Sequence, residues 1–94
     1  MDPRVRENLA KRRFELALSS DVKAATYYRV DDDGRVVLIH TEIPEGFEGQ
    51  GLGTRLAAGL LDLIRRSERK IVPRCPFMSA FIETHPEYAD LVAD

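Results

Sequence analysis

The chain has 94 residues, of which 44% are hydrophobic and 32% are charged, and its formal net charge is -2. This length fits one small domain, residues 1–94, and the composition argues against disorder. The net charge argues against a dedicated nucleic-acid binder. With a single cysteine an intrachain disulfide is excluded, and no apolar run approaches the ~20 residues that span a bilayer, so we expect a cytoplasmic protein without a membrane partner.

The first half of the chain is predicted to form a β-meander. Residues 1–11 are polar and basic and are expected to form a loose lead-in. The pattern of apolar residues predicts three strands, at residues 14–18, 22–30 and 35–43. Asp33-Gly34 indicates a tight hairpin between the last two, because Asp-Gly tolerates the positive φ that such turns require. Pro44 ends the third strand, since proline cannot donate to a ladder.

The second half is predicted to be mainly helical. From Leu52 onward apolar residues recur at helical spacing over about four turns, which indicates an amphipathic helix. Residues 70–75 form a fourth strand, reached by a right-handed crossover and therefore parallel to the third. Residues 79–84 look helical, and His85-Pro86 ends that helix. The predicted fold is α/β (α+β): an antiparallel meander, a helix, a parallel strand and a C-terminal helix.

A glycine-rich turn, Gly49-Gln50-Gly51-Leu52-Gly53, leads directly into the first helix. Glycines let a ligand approach the backbone, and the first N–H groups of a helix have no intrahelical acceptor, so the turn favours phosphate binding. It is not a Walker A loop, because Thr54-Arg55 stands where that motif has lysine and Ser or Thr. It is not a dinucleotide fingerprint either, because Leu56 replaces the third glycine.

The turn resembles the pyrophosphate motif Q/R-x-x-G-x-G/A of the GCN5-related N-acetyltransferases, with Glu48 in place of the usual Gln or Arg. Four blocks in the same order are similar to the minimal, one-domain branch of this family: residues 40–44, 49–53, 72–77 and 85–88. The resemblance implies the central core of the acetyltransferase fold, acetyl-CoA or coenzyme A as co-substrate, and acetyl transfer to an amine. It also implies that Cys75 is the active-site cysteine.

Such an enzyme must hold the pyrophosphate, lay the amide-rich pantetheine arm along a strand edge, and deprotonate an ammonium group. We expect the arm at the end of the third strand, and we expect the fourth strand to separate from the third at Pro44, opening a slot for the thioester. The expected cofactor-binding residues are Thr41, Glu42, Ile43, Gln50, Gly51, Leu52, Gly53, Thr54 and Arg55.

Cys75 is expected to end the fourth strand and face this slot. Its thiol either takes the acetyl group as a covalent intermediate or only lines the pocket, and Arg74 and the following helix are possible sources of a lowered pKa. Tyr88 is interpreted as a packing residue with a hydrogen-bonded hydroxyl. No metal is expected, because one cysteine and two distant histidines form no ligand cluster.

His40 and Glu42 are two residues apart on one strand and therefore point to the same face, opposite to Thr41 and Ile43. Either is a candidate general base. The alternatives are non-catalytic: His40 only forms a hydrogen bond with a neighbouring hydroxyl, and Glu42 only pairs with an arginine. The sequence thus predicts an acetyl-CoA-dependent N-acetyltransferase; the alternative is a non-catalytic acyl-CoA sensor or protein-interaction module. We expect a monomer or weak homodimer, and no motif names the amine acceptor.

Overall fold

The computed structural model describes residues 2–93 and contains a five-stranded sheet with order β1-β2-β3-β4-β5. All neighbouring strands are antiparallel except β4 and β5, which are parallel. The α/β fold predicted from the sequence is thereby confirmed. The elements are β1 (Val5–Asn8), β2 (Arg13–Ala17), β3 (Lys23–Val30), β4 (Val36–Glu42), α1 (Leu52–Arg66), β5 (Ile71–Pro73), α2 (Pro76–Thr84) and a 3-10 helix (Pro86–Leu91).

The prediction of a loose lead-in at residues 1–11 is wrong, because β1 pairs with β2 in register from Val5↔Leu16 onward. Val5 is buried over α1, where a Cβ on Gly59 would lie 2.4 Å from Val5 Cγ2. The edge strand therefore depends on a contact between residues far apart in the sequence. Met1, the first residue of that stretch, and Asp94, the last of the predicted domain, lie outside the described residues.

Glu7 links β1 to the rest of the molecule. Its carboxylate accepts hydrogen bonds from Arg69, at 2.8 and 3.1 Å, and from the Tyr28 hydroxyl. Partial burial by itself raises the pKa of Glu7, but the bonds from Arg69 and Tyr28 outweigh burial and hold this pKa below its ordinary value.

We expect the Glu7 contacts to make stability fall at acid pH. A carboxyl group whose pKa is lowered by folding contributes its full stabilisation above the unfolded pKa of about 4.3 and loses it as pH falls through the lower folded value. Urea unfolding of the wild type and of Glu7→Gln between pH 7 and pH 3 tests this. The stability difference between the two proteins should shrink towards low pH, and a constant difference would contradict the prediction.

Both helices pack on one face of the sheet. A single core cluster joins that face to Leu56 and Leu60 of α1 and to Met78 and Phe81 of α2. No helix within residues 2–93 adds to a hydrophobic cluster on the other face of the sheet. We call this other face the open face. The open face carries polar side chains of β2, β3 and β4: Arg13, Tyr27 and His40 are in register across the three strands, and Arg29 and Glu42 are their neighbours along β3 and β4.

A β-bulge in β4 decides which side chains reach which face. The register runs from Tyr28↔Leu38 to Tyr27↔His40, so Ile39 is an extra residue. Beyond Leu38, β4 also loses its parallel neighbour: the last pair is Leu38↔Pro73, and the N–H groups of Arg74 and Cys75 both donate to the Leu38 carbonyl, at 3.0 and 2.8 Å. The two strands therefore separate at Leu38, well before the predicted Pro44.

Candidate active site

The glycine-rich turn forms the N-terminus of α1, as the sequence indicated. Gly51 has φ 74°, a left-handed conformation that favours glycine, and the Arg55 N–H is bonded to the Gly51 carbonyl at 3.1 Å. The preceding N–H groups, those of Leu52, Gly53 and Thr54, have no intrahelical acceptor. The first turn contains no acidic residue and no side-chain cap. The positive end of the helix dipole is therefore available to an anion.

Gly53 lets the two helices meet at this turn. A Cβ at Gly53 would lie 2.8 Å from Cζ of Phe77, which is the second residue of α2 and is partly exposed. The starts of α1 and α2 are thus in contact, and both lie beside the gap where β4 and β5 separate. The gap, with the two helix starts beside it, is called the slot below.

Two side chains of the predicted pyrophosphate site are engaged elsewhere in the protein. The Glu48 carboxylate accepts a hydrogen bond from the Gly46 N–H at 2.9 Å, so it folds back on its own loop. The Arg55 guanidinium binds the Asp2 carboxylate through two nitrogens, at 3.0 and 2.8 Å. Nothing in the sequence pattern pointed to Asp2, since 53 residues separate the pair. The turn therefore offers mainly backbone donors.

Cys75 lies where β5 leads into α2, and it is only 2% exposed. Its Sγ is 3.4 Å from Oγ1 of Thr41, which in turn is 2.8 Å from Oγ1 of the buried Thr26. The bulge at Ile39 keeps Thr41 on the helix-covered face, opposite Thr26. Sequence reasoning missed this hydroxyl–thiol chain, because it named Thr41 only as a cofactor-binding residue.

His40 and Glu42 lie on the same face of β4, as their spacing predicted, and this is the open face. His40 Nε2 is 3.4 Å from Glu42 Oε2, and the side chains are 60% and 57% exposed. The Tyr27 ring stacks on the imidazole with centroids 6.4 Å apart, and its hydroxyl accepts a hydrogen bond from Arg13 at 3.0 Å. The sequence did not single out Tyr27 or Arg13 as neighbours of His40. The sequence signal that bears on this is the alternation of side chains between the two faces of a strand.

The predicted catalytic residues are therefore divided between the two faces of β4. Thr41, which contacts Cys75, belongs to the covered face, whereas His40 and Glu42 belong to the open face. A Cys–His pair of the kind that activates a nucleophilic thiol is not assembled here. Ile43, the last of the predicted strand-edge residues, follows β4 and packs against the core.

The C-terminal tyrosine and histidine pack away from the slot. The Tyr88 hydroxyl donates to Asp62 Oδ1 at 3.2 Å, and burial together with the nearby Asp62 raises the pKa of Tyr88. Asp62 is ten residues beyond Leu52 on α1, or about 15 Å along the helix. His85 stacks on Phe81, with ring centroids 3.9 Å apart. The packing interpretation of Tyr88 agrees with this geometry.

Two further observations concern residues 2–93 as a whole. They contain no group of three or more His, Cys, Asp or Glu side chains that could hold a metal ion. None of their helices combines the length and apolar character needed to cross a membrane.

A sheet that splits between two parallel strands, beside a glycine-rich helix start, defines an acetyltransferase fold. The chain belongs to the GCN5-related N-acetyl-transferase family, whose family model matches residues 13–91. The resemblance stated from the motifs is thereby confirmed, and the family and the fold together make the chain an N-acetyltransferase. Enzymes of this family use acetyl-CoA in general.

Three known proteins illustrate the relationship. Protein NATD1 of Danio rerio is 28% identical over 92 residues, which cover 95% of this chain and 84% of that protein. Protein NATD1 of Homo sapiens is 26% identical over 84 residues, 88% and 74% of the two chains. The NMR solution structure of a GCN5-like protein from Staphylococcus aureus, described as a candidate N-acetyltransferase, matches with a TM-score of 0.71, 22% identity and coverage of 95% and 86%. This last likeness shows the fold alone.

Proposed function

We propose that the chain transfers an acetyl group from acetyl-CoA directly to an amine, with His40 as the general base. One observation carries the proposal: His40 and Glu42 form a pair on the open face of the same strand that borders the slot. A module that only bound acyl-CoA would have no need of this pair. The sensor alternative is therefore less well supported and becomes one outcome of the test below.

The residues around the slot fit acetyl-CoA. The N–H groups at the start of α1 can bind the pyrophosphate without side chains, which agrees with the engagement of Glu48 and Arg55 elsewhere. Within residues 2–93, the β4 backbone from Ile39 to Glu42 has no parallel partner, so it can pair with the amides of the pantetheine arm. Bound acetyl-CoA would supply an acyl carbon activated by its thioester.

His40 would prepare the acceptor for attack. The imidazole accepts a proton from the ammonium group of the acceptor, and the Glu42 carboxylate, 3.4 Å from Nε2, stabilises the imidazolium that forms. The neutral amine nitrogen then bonds to the acetyl carbon while the carbon–sulfur bond breaks. The amine gives up a second proton, the departing thiolate takes up one proton, and the amide and free coenzyme A leave.

The position of Cys75 supports direct transfer over a thiol intermediate. The thiol is buried, its hydrogen-bond partner among residues 2–93 is the Thr41 hydroxyl, and His40 lies on the other face of β4. We therefore assign Cys75 to the wall of the slot, where it packs against Thr41. The thiol route remains the competing mechanism, and it makes a different prediction for the same variant.

Cys75→Ala is expected to keep acetyl transfer within a few-fold of the wild type. The experiment measures acetyl-CoA and CoA binding by isothermal titration, CoA release with a panel of amines, and intact mass after incubation with acetyl-CoA. Cys75→Ser, which keeps a polar atom near Thr41, is the matched control, and thermal unfolding shows whether either variant is folded.

Three results would contradict parts of this proposal. A one-acetyl mass gain that disappears in Cys75→Ala together with turnover would establish the thiol route. Binding of acetyl-CoA without turnover of any amine would support the sensor. A protein that binds neither acetyl-CoA nor CoA would overturn the proposed function.

A further inference from the structure

The open face contains a depression between the ends of β3, β4 and β5. Its volume is about 460 Å³. The floor is apolar and consists of the buried Val37 and the half-buried Val72, which are direct partners across β4 and β5. The surrounding residues are Arg29, Asp31, Arg35, Arg74 and Ala93. A depression of this size, with an apolar floor and a cationic rim, suits a small anionic molecule.

The three arginines of the rim differ in their partners. Arg35 is already neutralised, because its guanidinium is 2.7 Å from Asp31 and 3.2 Å from Asp33. Arg29 and Arg74 have no carboxylate within ion-pair distance among residues 2–93. Two guanidinium groups that have no carboxylate partner among residues 2–93 thus border one depression. Guanidinium groups bind carboxylate and phosphate oxygens in bidentate geometry.

The depression is adjacent to the proposed base. On β3, Arg29 and Tyr27 are two residues apart on the open face, and they pair with Val37 and His40 respectively. Two residues of strand span about 7 Å. Arg74 follows β5, at the point where β4 and β5 separate. A molecule whose anionic end lies between Arg29 and Arg74 can therefore place a second group, about 7 Å away, beside His40.

We infer that the acceptor is a small primary amine that also carries a carboxylate or phosphate group, held by Arg29 and Arg74 so that its amine reaches His40. This inference rests on the proposed function and narrows its substrate class. The chain's net charge of -2 and the small volume favour such a molecule over a polyanion.

The first test measures binding without acetyl-CoA. Amide spectra of the ¹⁵N-labelled chain are titrated with 4-aminobutyrate, with O-phosphoethanolamine, and with the neutral analogues 4-amino-1-butanol and ethanolamine. We expect saturable shifts at Val37 and Val72 with the two anionic amines and none with the neutral ones. The stronger of the two anionic amines identifies carboxylate or phosphate as the preferred group.

Arg29→Gln and Arg74→Gln should each raise the Kd of the preferred anionic amine roughly tenfold, the loss expected for one charge-assisted contact at an exposed site. Arg6→Gln is the matched control, since Arg6 lies on the same face but on β1, three strands from β4 and about 14 Å away. The titration is repeated in Asp94→Asn, so that the carboxylate following Ala93 in the sequence does not bias the comparison.

The second test compares acetyl transfer to each anionic amine and its neutral analogue. The preference in kcat/KM for the anionic member should fall about tenfold in Arg29→Gln and Arg74→Gln, and it should stay at the wild-type value in Arg6→Gln. Three results would each overturn the inference. They are the same loss of preference in Arg6→Gln, binding of the neutral amines as tight as that of the anionic amines, and binding of a single-stranded oligonucleotide tighter than that of the anionic amines. A protein that does not bind acetyl-CoA would overturn the proposed function. The amide-spectrum titration with amines would still decide whether the depression holds an anionic amine.

Discussion

Replacing Thr54 with aspartate is expected to weaken acetyl-CoA binding at least a hundredfold and to leave the fold at least as stable as before. Thr54 lies in the first turn of α1, which contains no acidic residue, and a carboxylate there interacts favourably with the helix dipole by ~0.3–1 kcal/mol. The same carboxylate would repel a bound pyrophosphate. At about 5 Å and an effective dielectric constant of about 20, the repulsion is ~3 kcal/mol per pair of charges, or at least a hundredfold in Kd.

Thr54→Asn is the matched control, because it has nearly the same shape as aspartate without the charge. Isothermal titration with acetyl-CoA and thermal unfolding are measured for both variants and the wild type. We expect the asparagine variant to bind within a few-fold of the wild type. Wild-type affinity in the aspartate variant would mean that the pyrophosphate does not lie at the start of α1.

His40→Gln is expected to lower kcat by about a hundredfold or more, which is the usual contribution of a general base. Binding of acetyl-CoA should not change, since the imidazole lies on the open face and the pyrophosphate donors belong to α1. Steady-state kinetics with the amine that gives the fastest CoA release measure kcat, and isothermal titration measures acetyl-CoA binding.

The second histidine provides the control. His85 stacks on Phe81, and its Nδ1 faces the Phe81 carbonyl at 2.8 Å, so His85→Gln should cost some stability and leave kcat nearly unchanged. Glu42→Gln should give a smaller loss than His40→Gln, about tenfold, because the carboxylate acts on the imidazole rather than on the acceptor. Equal kcat values for His40→Gln and the wild type would remove His40 from the mechanism.

Local patterns predicted most of the fold. Apolar spacing identified α1 and four of the strands, and the crossover rule gave the parallel pairing of β4 with β5. The edge strand β1 was missed because its residues are mostly polar. Packing of Val5 against Gly59 and hydrogen bonds from Arg69 to Glu7 hold β1 in place. Both partners are far from residues 5–8 in the sequence, so the local pattern could not indicate them.

The candidate site, like the fold, was predicted only in part from the sequence. Alternation along β4 correctly placed His40 and Glu42 side by side, and the glycine spacing correctly placed the start of α1. The sequence did not reveal that Arg55 is engaged by Asp2 or that the strands separate at Leu38.

The sequence by itself determined the order of the elements from β2 onward, the glycine-rich helix start and the family, because each depends on residues close together in the chain. Only the tertiary structure decided that Cys75 lies with Thr41 under the helices while His40 lies on the open face. One extra residue in β4, Ile39, sets this arrangement. A bulge depends on which residues of the neighbouring strand pair with it, and pairing is a property of the folded sheet.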